Sequence, residues 1–371
     1  MRPSLVAATA LLVSAVGVST WLAAAEYPAI PPAGNFHERH AAEITLTGPD
    51  AAKRRLDVLR RATFIAPDAF QQRRDGLAAD LLTHAVPSCR FAPSDPSGTT
   101  PKFDCVFAGG DTVKVKYGHD SEIHGEAAAS ALLRMLGYAS DVVTIVPRLR
   151  CYGCPRHPFV AMHLRRSFHF LLVPEQIEHG FTDFEWVSVE HKFPAPAIET
   201  DAVSGWEWRE LDKVDAPRAE VDAFRLVAAF LAHWDNKSQN QRLICLDGGG
   251  ADCMRPLAMI QDVGASFGPP KVNLARWRDL PIWHDRTTCM ISMRALPFEG
   301  ATFEDVRITE AGRALAATRL GAISDAEIER LFADARFPQF QAGTDDERDL
   351  KAWTAAFRDR VRQIAEAHCP S

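Results

Sequence analysis

Residues 233–240 (HWDNKSQN) carry an aspartate, a lysine and an asparagine in one short run, and residues 261–264 (QDVG) place a second aspartate beside a glycine. These are the residue types that phosphoryl transfer uses. Asp235 can accept the proton of an attacking hydroxyl, Asn240 and Asp262 can hold Mg²⁺ through oxygen, and Lys237 can neutralise charge on a moving phosphoryl group. Such a reaction asks the protein for positioning and charge neutralisation more than for covalent chemistry.

The elements that must position these groups can be read around them. Residues 217–234 have apolar positions at Val221, Phe224, Val227, Ala228 and Leu231, a helical period, with Asp215 as the expected N-cap before Pro217. The Asp235 loop should therefore leave the C-terminus of a buried helix. Residues 241–246 read as a strand, 247–250 (DGGG) as a turn and 257–260 as a returning strand. That hairpin would bring Asn240 and Asp262 to the same end of two paired strands.

At these positions the sequence resembles the protein-kinase-like superfamily, whose catalytic loop reads His-Arg-Asp-Leu-Lys-Pro-Glu-Asn and whose metal motif reads Asp-Phe-Gly. His233, Asp235, Lys237, Asn240, Asp262 and Gly264 match, while Trp234 and Val263 depart. The compact run 262–268 (DVGASFG) is similar to the metal motifs of atypical members: the secretory-pathway Fam-twenty, spore-coat CotH and HipA-type kinases. The resemblance implies an α+β, two-lobed fold with a small β-rich N-lobe and a mostly helical C-lobe, and ATP with Mg or Mn as the phosphoryl donor. It also implies a strand lysine for the nucleotide phosphates and a glutamate on the next helix to orient it. Residues 103–117 (FDCVFAGGDTVKVKY) form a hairpin turning at Gly109 and Gly110, whose alternation puts Lys114 and Lys116 on one face; Lys116 is favoured and Lys114 is the alternative. Helix 121–137 offers Glu122 and Glu126 one turn apart, with Glu126, deeper in the helix, favoured. No Gly-x-Gly-x-x-Gly precedes Lys116, 108–111 (AGGD) is a poor flap, and no Ala-Pro-Glu follows Asp262.

Arg2 and the apolar run 5–25, closed by three alanines before Glu26, read as a signal peptide over 1–25. An uncleaved anchor is the alternative, because at ~1.5 Å per residue such a run spans ~31 Å. The protein is expected to be exported, periplasmic or secreted, and all eight cysteines fall after residue 25. Cys89 with Cys105, Cys245 with Cys253, and Cys151 with Cys154 are the local disulfide candidates. Residues 26–98 are expected to form a linker and helical cap, with helices at 51–62 and 67–85 and a loop at 87–98. The N-lobe would cover 99–175, with strands at 142–146 and 168–173 and a base-binding hinge at 172–180. The C-lobe would cover 176–371, with a capping box at Ser324 and Glu327 and a last helix at 346–367. A net charge of −6 with no basic cluster excludes nucleic acid as partner, leaving a nucleotide and a hydroxyl-bearing substrate. Two other readings keep the same residues: an inactive kinase-like binding module, and a disulfide-stapled structural protein in which Asp235 and Asn240 only finish a turn.

Overall fold

A computed structural model describes residues 43–68, 76, 79–94, 98–167, 180–249, 252–296 and 300–370. The run 5–25, residues 69–75 and 77–78 of the helix expected at 67–85, the strand at 168–173 and nearly all of the hinge at 172–180 lie outside the described residues. No helix among the described residues is long and apolar enough to cross a membrane.

The first half contains β1 (Ile44–Leu46), α1 (Ala51–Arg60), β2 (Ser88–Ala92), β3 (Lys102–Phe107), β4 (Thr112–Lys116), α2 (Glu122–Met135), β5 (Val142–Tyr152), α3 (Pro158–Ser167) and β6 (Phe181–His191). Five of the strands close a barrel in the order β2-β3-β4-β6-β5. Neighbours are antiparallel except for the closing pair, β2 and β5. Strand alternation explains its two faces. Val113 and Val115 point inward to Phe91, Phe103, Leu149, Val187 and Val189, while Lys114 and Lys116 point outward. The other side of β5 packs on α2, so Val143 and Ile145 belong to the core of the helical half.

Two expectations are corrected here. Residues 87–98 are not all loop, because Cys89 and Phe91 alternate into the barrel core and make Ser88–Ala92 a strand. The strand-rich half thus runs from 88 to 191, not 99 to 175, and the chain crosses to the helical half after β6, through 192–197, not at 172–180.

The second half contains β7 (Ile198–Thr200), α4 (Arg218–Leu231), β8 (Gln241–Cys245), β9 (Pro256–Ile260), α5 (Leu274–Asp279), β10 (Met290–Ile291), β11 (Val306–Arg307), α6 (Glu310–Gly321), α7 (Asp325–Asp334), α8 (Asp345–Arg348) and α9 (Leu350–Ala365). Helix α4 is its axis, with every residue from 221 to 231 buried. Pro217, directly before the first helical residue Arg218, occupies the N-cap in place of Asp215, whose N–H is donated to the Arg60 carbonyl at 2.7 Å. At the other end the buried Arg360 guanidinium donates to the carbonyls of Ala229 (3.0 Å) and Phe230 (3.1 Å), satisfying acceptors that the last turn of a helix leaves open. The expected last helix is two, divided at Asp349, whose carboxylate accepts from Lys351 N and caps α9. Ser324 and Glu327 form their capping box at α7. The eight cysteines pair as Cys89–Cys105, Cys151–Cys154, Cys245–Cys253 and Cys289–Cys369.

Candidate active site

Helix α4 ends because Ala232 turns left-handed, at φ 55°, and the chain leaves it as a loop over 233–240. Asn236 fixes that loop. It is fully buried; its amide nitrogen donates to the carbonyls of His233 (3.3 Å) and Trp234 (3.2 Å), and its oxygen accepts from Thr302 N and Phe303 N, both at 3.0 Å. Asn240 holds the other end, donating from Nδ2 to the Asp235 carbonyl at 2.7 Å. With its nitrogen committed, the Asn240 side chain offers its oxygen. We expect Asn236→Ala to destabilise the fold by about 3 kcal/mol in urea unfolding, because it orphans two buried N–H donors; a change under about 0.5 kcal/mol is the surface norm and would contradict that role.

The hairpin of β8 and β9 does what its sequence requires. Gln241 pairs with Ile260, and Gln261 N donates to the Asn240 carbonyl at 2.8 Å, so Asp262 emerges beside Asn240. Asp262 itself is left-handed, at φ 49°. An aspartate tolerates that conformation better than most side chains, and such strain concentrates at working sites.

Lys116 reaches Asp262 from the barrel. Its Nζ lies 2.9 Å from Glu126, 3.1 Å from Glu122 and 3.3 Å from Asp262, with only 1% of the side chain exposed. One ammonium thus ties β4, α2 and the Asp262 turn together. The helix can come this close because of two glycines. A Cβ on Gly264 would stand 2.3 Å from Glu122 Cγ, and one on Gly125 would stand 2.7 Å from Val272 Cγ2 and 3.1 Å from the Gly264 carbonyl. Glu122 is held further by Thr100 (2.5 Å) and by Lys271 (3.1 Å), which also pairs with Asp120 at 2.9 Å.

The charges follow from this crowding. Burial works against the Lys116 ammonium, but Asp262, Glu126, Glu122 and Glu190 outweigh it and hold its pKa well above the usual lysine value. The same ammonium depresses the Asp262 carboxyl far below the normal range, against the effect of burial. Glu126 moves the other way, pushed up to about 7 by burial and by the carboxylates of Glu190 and Asp262, with Lys116 opposing.

These groups meet at a cavity of about 480 Å³ between the two halves. Asp235, Lys237, Asn240, Asp262 and Lys114 line it, and Lys116 sits at its base through its contacts with Glu122 and Asp262. The Lys237 Nζ lies 3.1 Å from Asp235 Oδ1, so these two side chains form a pair on the cavity wall. Asp262 is 40% exposed, all three carboxylates around Lys116 notwithstanding. Lys114 turns instead to Glu190, at 3.6 Å, and the buried Glu190 is also paired with Lys192. The two candidate glutamates are not alternatives, since both reach Lys116. Their spacing of one helical turn was the signal that one cation could take both. Gly98, Thr99 and Thr100, not the turn at 108–111, cover the cavity from the barrel side. Lys102 and Lys271 line it too, and the sequence drew attention to neither. An asparagine oxygen and an ionised carboxylate at neighbouring positions suit a hard divalent cation that takes its remaining ligands from phosphate and water.

His233, matched in sequence to the loop histidine, is buried with neither ring nitrogen bonded among the described residues. Burial lowers its pKa to about 4, with the nearby Asp235 and Asp262 opposing. A base whose folded pKa lies below its unfolded value of about 6.5 carries no penalty above that pH and destabilises the fold as pH falls through 6.5 towards 4. His233→Phe should therefore flatten the loss of stability between those pH values; an unchanged pH profile would remove His233 from the acid response.

No family model matches the chain, and no curated protein matches it. Among solved structures, similarity is found to the Helicobacter pylori proinflammatory kinase CtkA, at 8% identity and a TM-score of 0.42, over 76% of this chain and 97% of that one. The Golgi casein kinase with Mn and ADP bound aligns at 13% identity and a TM-score of 0.38, over 86% and 80%. The Rio2 kinase from Chaetomium thermophilum, in its ADP, Mg²⁺ and phosphoaspartate complex, aligns at 16% and 0.32, over 78% and 76%. The strand order, the helix inserted between the third and fourth barrel strands, and the Asp-bearing loop and hairpin beneath them give the chain a two-lobed α+β fold.

Proposed function

We propose that the chain is an exported atypical kinase-like phosphotransferase that moves the γ-phosphoryl group of ATP, as its Mg or Mn complex, to a hydroxyl of an acceptor. The observation that carries this reading is the convergence of Glu126, Glu122 and Asp262 on the Lys116 ammonium at 2.9–3.3 Å, across a cavity from Asp235 and Asn240. Lys116 binds donor phosphates and Glu126 orients it. Asp262 and Asn240 hold the divalent cation, which supplies charge neutralisation along the phosphates. Asp235 takes the acceptor's proton, and Lys237, paired with it, steadies negative charge at the transferred group. Export is supported by the apolar run at 5–25 and by the pairing of the cysteines, which belongs to an oxidising compartment.

Thermal unfolding tests the binding half of the proposal. ATP with Mg²⁺ or Mn²⁺ should raise the melting temperature, adding about 2.7 kcal/mol of stability at one hundred times Kd, and Asp262→Ala should abolish the increment. No increment at millimolar nucleotide would defeat the reading.

A further inference from the structure

The roof of the cleft is more basic than transfer of one phosphoryl group requires. Cross-strand neighbours share a face, and the register sets Lys102 against Lys116, Lys116 against Ser188, and Lys114 against Glu190. The same register sets Asp104 against Lys114, so the outer face of the barrel above the cavity is built of three lysines, a serine, Asp104 and a buried glutamate. Lys116 is committed to its three carboxylates and Lys114 leans on Glu190. Lys102 differs. Its side chain lines the cavity, the residue is only 8% exposed, and it has no hydrogen bond or ion pair among the described residues. Its Nζ lies 3.4 Å from the position a Cβ on Gly98 would take, beneath the cover formed by Gly98, Thr99 and Thr100. Burial and the nearby Lys116 and Lys114 ammoniums lower its pKa, with the carboxylates of Asp262 and Glu122 opposing. A buried ammonium with no direct ion pair, only carboxylates at longer range, is left with bonding capacity that an arriving anion can take.

The remaining walls, among the described residues, offer little to a nucleobase. A base is held by flat apolar or aromatic faces. Among the described residues that line it, Ala265, Pro270 and Trp234 have that character, against four lysines: Lys102, Lys114, Lys237 and Lys271. The four ammoniums already outnumber the three lining carboxylates, Glu122, Asp235 and Asp262, and a divalent cation would add to that excess.

Building on the phosphotransferase reading, we propose that this cleft recognises its donor through a chain of phosphates and not through a base, with Lys102 and Lys114 on the phosphates behind the one transferred, so that inorganic tripolyphosphate serves as donor as well as ATP. The bond between the terminal phosphorus and its bridging oxygen breaks, and that oxygen leaves with the electron pair on a diphosphate. The acceptor oxygen forms the new bond to phosphorus and its proton passes to Asp235.

Calorimetric titration of the full chain with the Mg²⁺ complexes of tripolyphosphate and of ATP tests this. The two should bind within about threefold of each other, and Lys102→Met should weaken both about tenfold or more, the scale of one charge-assisted hydrogen bond. Without ligand, Lys102→Met should melt at or above the wild-type temperature, since it removes an unpaired buried charge; a lowered midpoint would mark Lys102 as structural and overturn the proposal. ATP binding more than about thirtyfold tighter than tripolyphosphate, with Trp234→Ala erasing the difference, would place a base on Trp234 and overturn the inference while leaving the transferase reading intact. Failure of both ligands to bind would overturn the two together.

Discussion

Asp235→Asn should slow phosphoryl transfer about 10²–10⁴-fold while leaving donor affinity within about threefold, the pattern of a lost general base. The substitution keeps the size of the side chain and removes its ability to take a proton together with its charge in the pair with Lys237. The loop should survive it, because Asn240 binds the Asp235 carbonyl, not its carboxylate, and Asn236 secures the preceding turn. Release of labelled phosphate to water, or to the chain itself, gives a readout that needs no identified acceptor. Transfer at the wild-type rate would remove Asp235 from the role of base.

Lys116→Met should have the largest effect on the folded state, destabilising it by about 3–5 kcal/mol and eliminating donor binding. The lysine is the shared partner of Glu126, Glu122 and Asp262, so its removal leaves the buried Glu126 facing the carboxylates of Glu122 and Asp262. The penalty depends on pH in a defined direction. Burial and the neighbouring carboxylates already raise Glu126 to about 7, so that group neutralises as pH falls through 7. The deficit of the methionine variant should accordingly be greatest at alkaline pH and narrow below neutrality. Urea unfolding across that range measures it; a variant as stable as wild type at alkaline pH would mean that the ion-pair cluster does not form.

The parts of this site legible in the sequence were those fixed by short-range spacing. Asp235, Lys237 and Asn240 lie within one loop, and the alternation of β4 put Lys116 on the outer face without any knowledge of what it met there. The glycine turn and its flanking strands announced the hairpin that sets Asp262 beside Asn240. What stayed hidden depends on partners distant in sequence. Nothing about Asn236 distinguishes it from any turn asparagine until Thr302 and Phe303 arrive to bond its oxygen. Arg360 is an ordinary helix arginine in sequence, and only packing delivers it to the end of α4, 130 positions earlier. Strand β2 is short, and its proline-rich flanks masked the two inward residues, Cys89 and Phe91, that make it part of the barrel. For the same reason nothing in the sequence pointed to Gly98, Thr99 and Thr100 as the cover of the cavity, although the turn at 108–111 was a poor flap. Glu122 was weighed against Glu126 because a helix face shows which residues are neighbours, not how many of them one cation can satisfy.

Electron paramagnetic resonance of Mn²⁺, titrated with the protein in the presence of ATP, tests the central claim most directly, because it asks whether two residues from separate segments hold one ion. The account predicts nucleotide-dependent Mn²⁺ binding that is lost in Asp262→Ala, weakened in Asn240→Ala and kept in Asp235→Asn. Mn²⁺ binding that is absent from the wild type, or unchanged in both ligand variants, would contradict it.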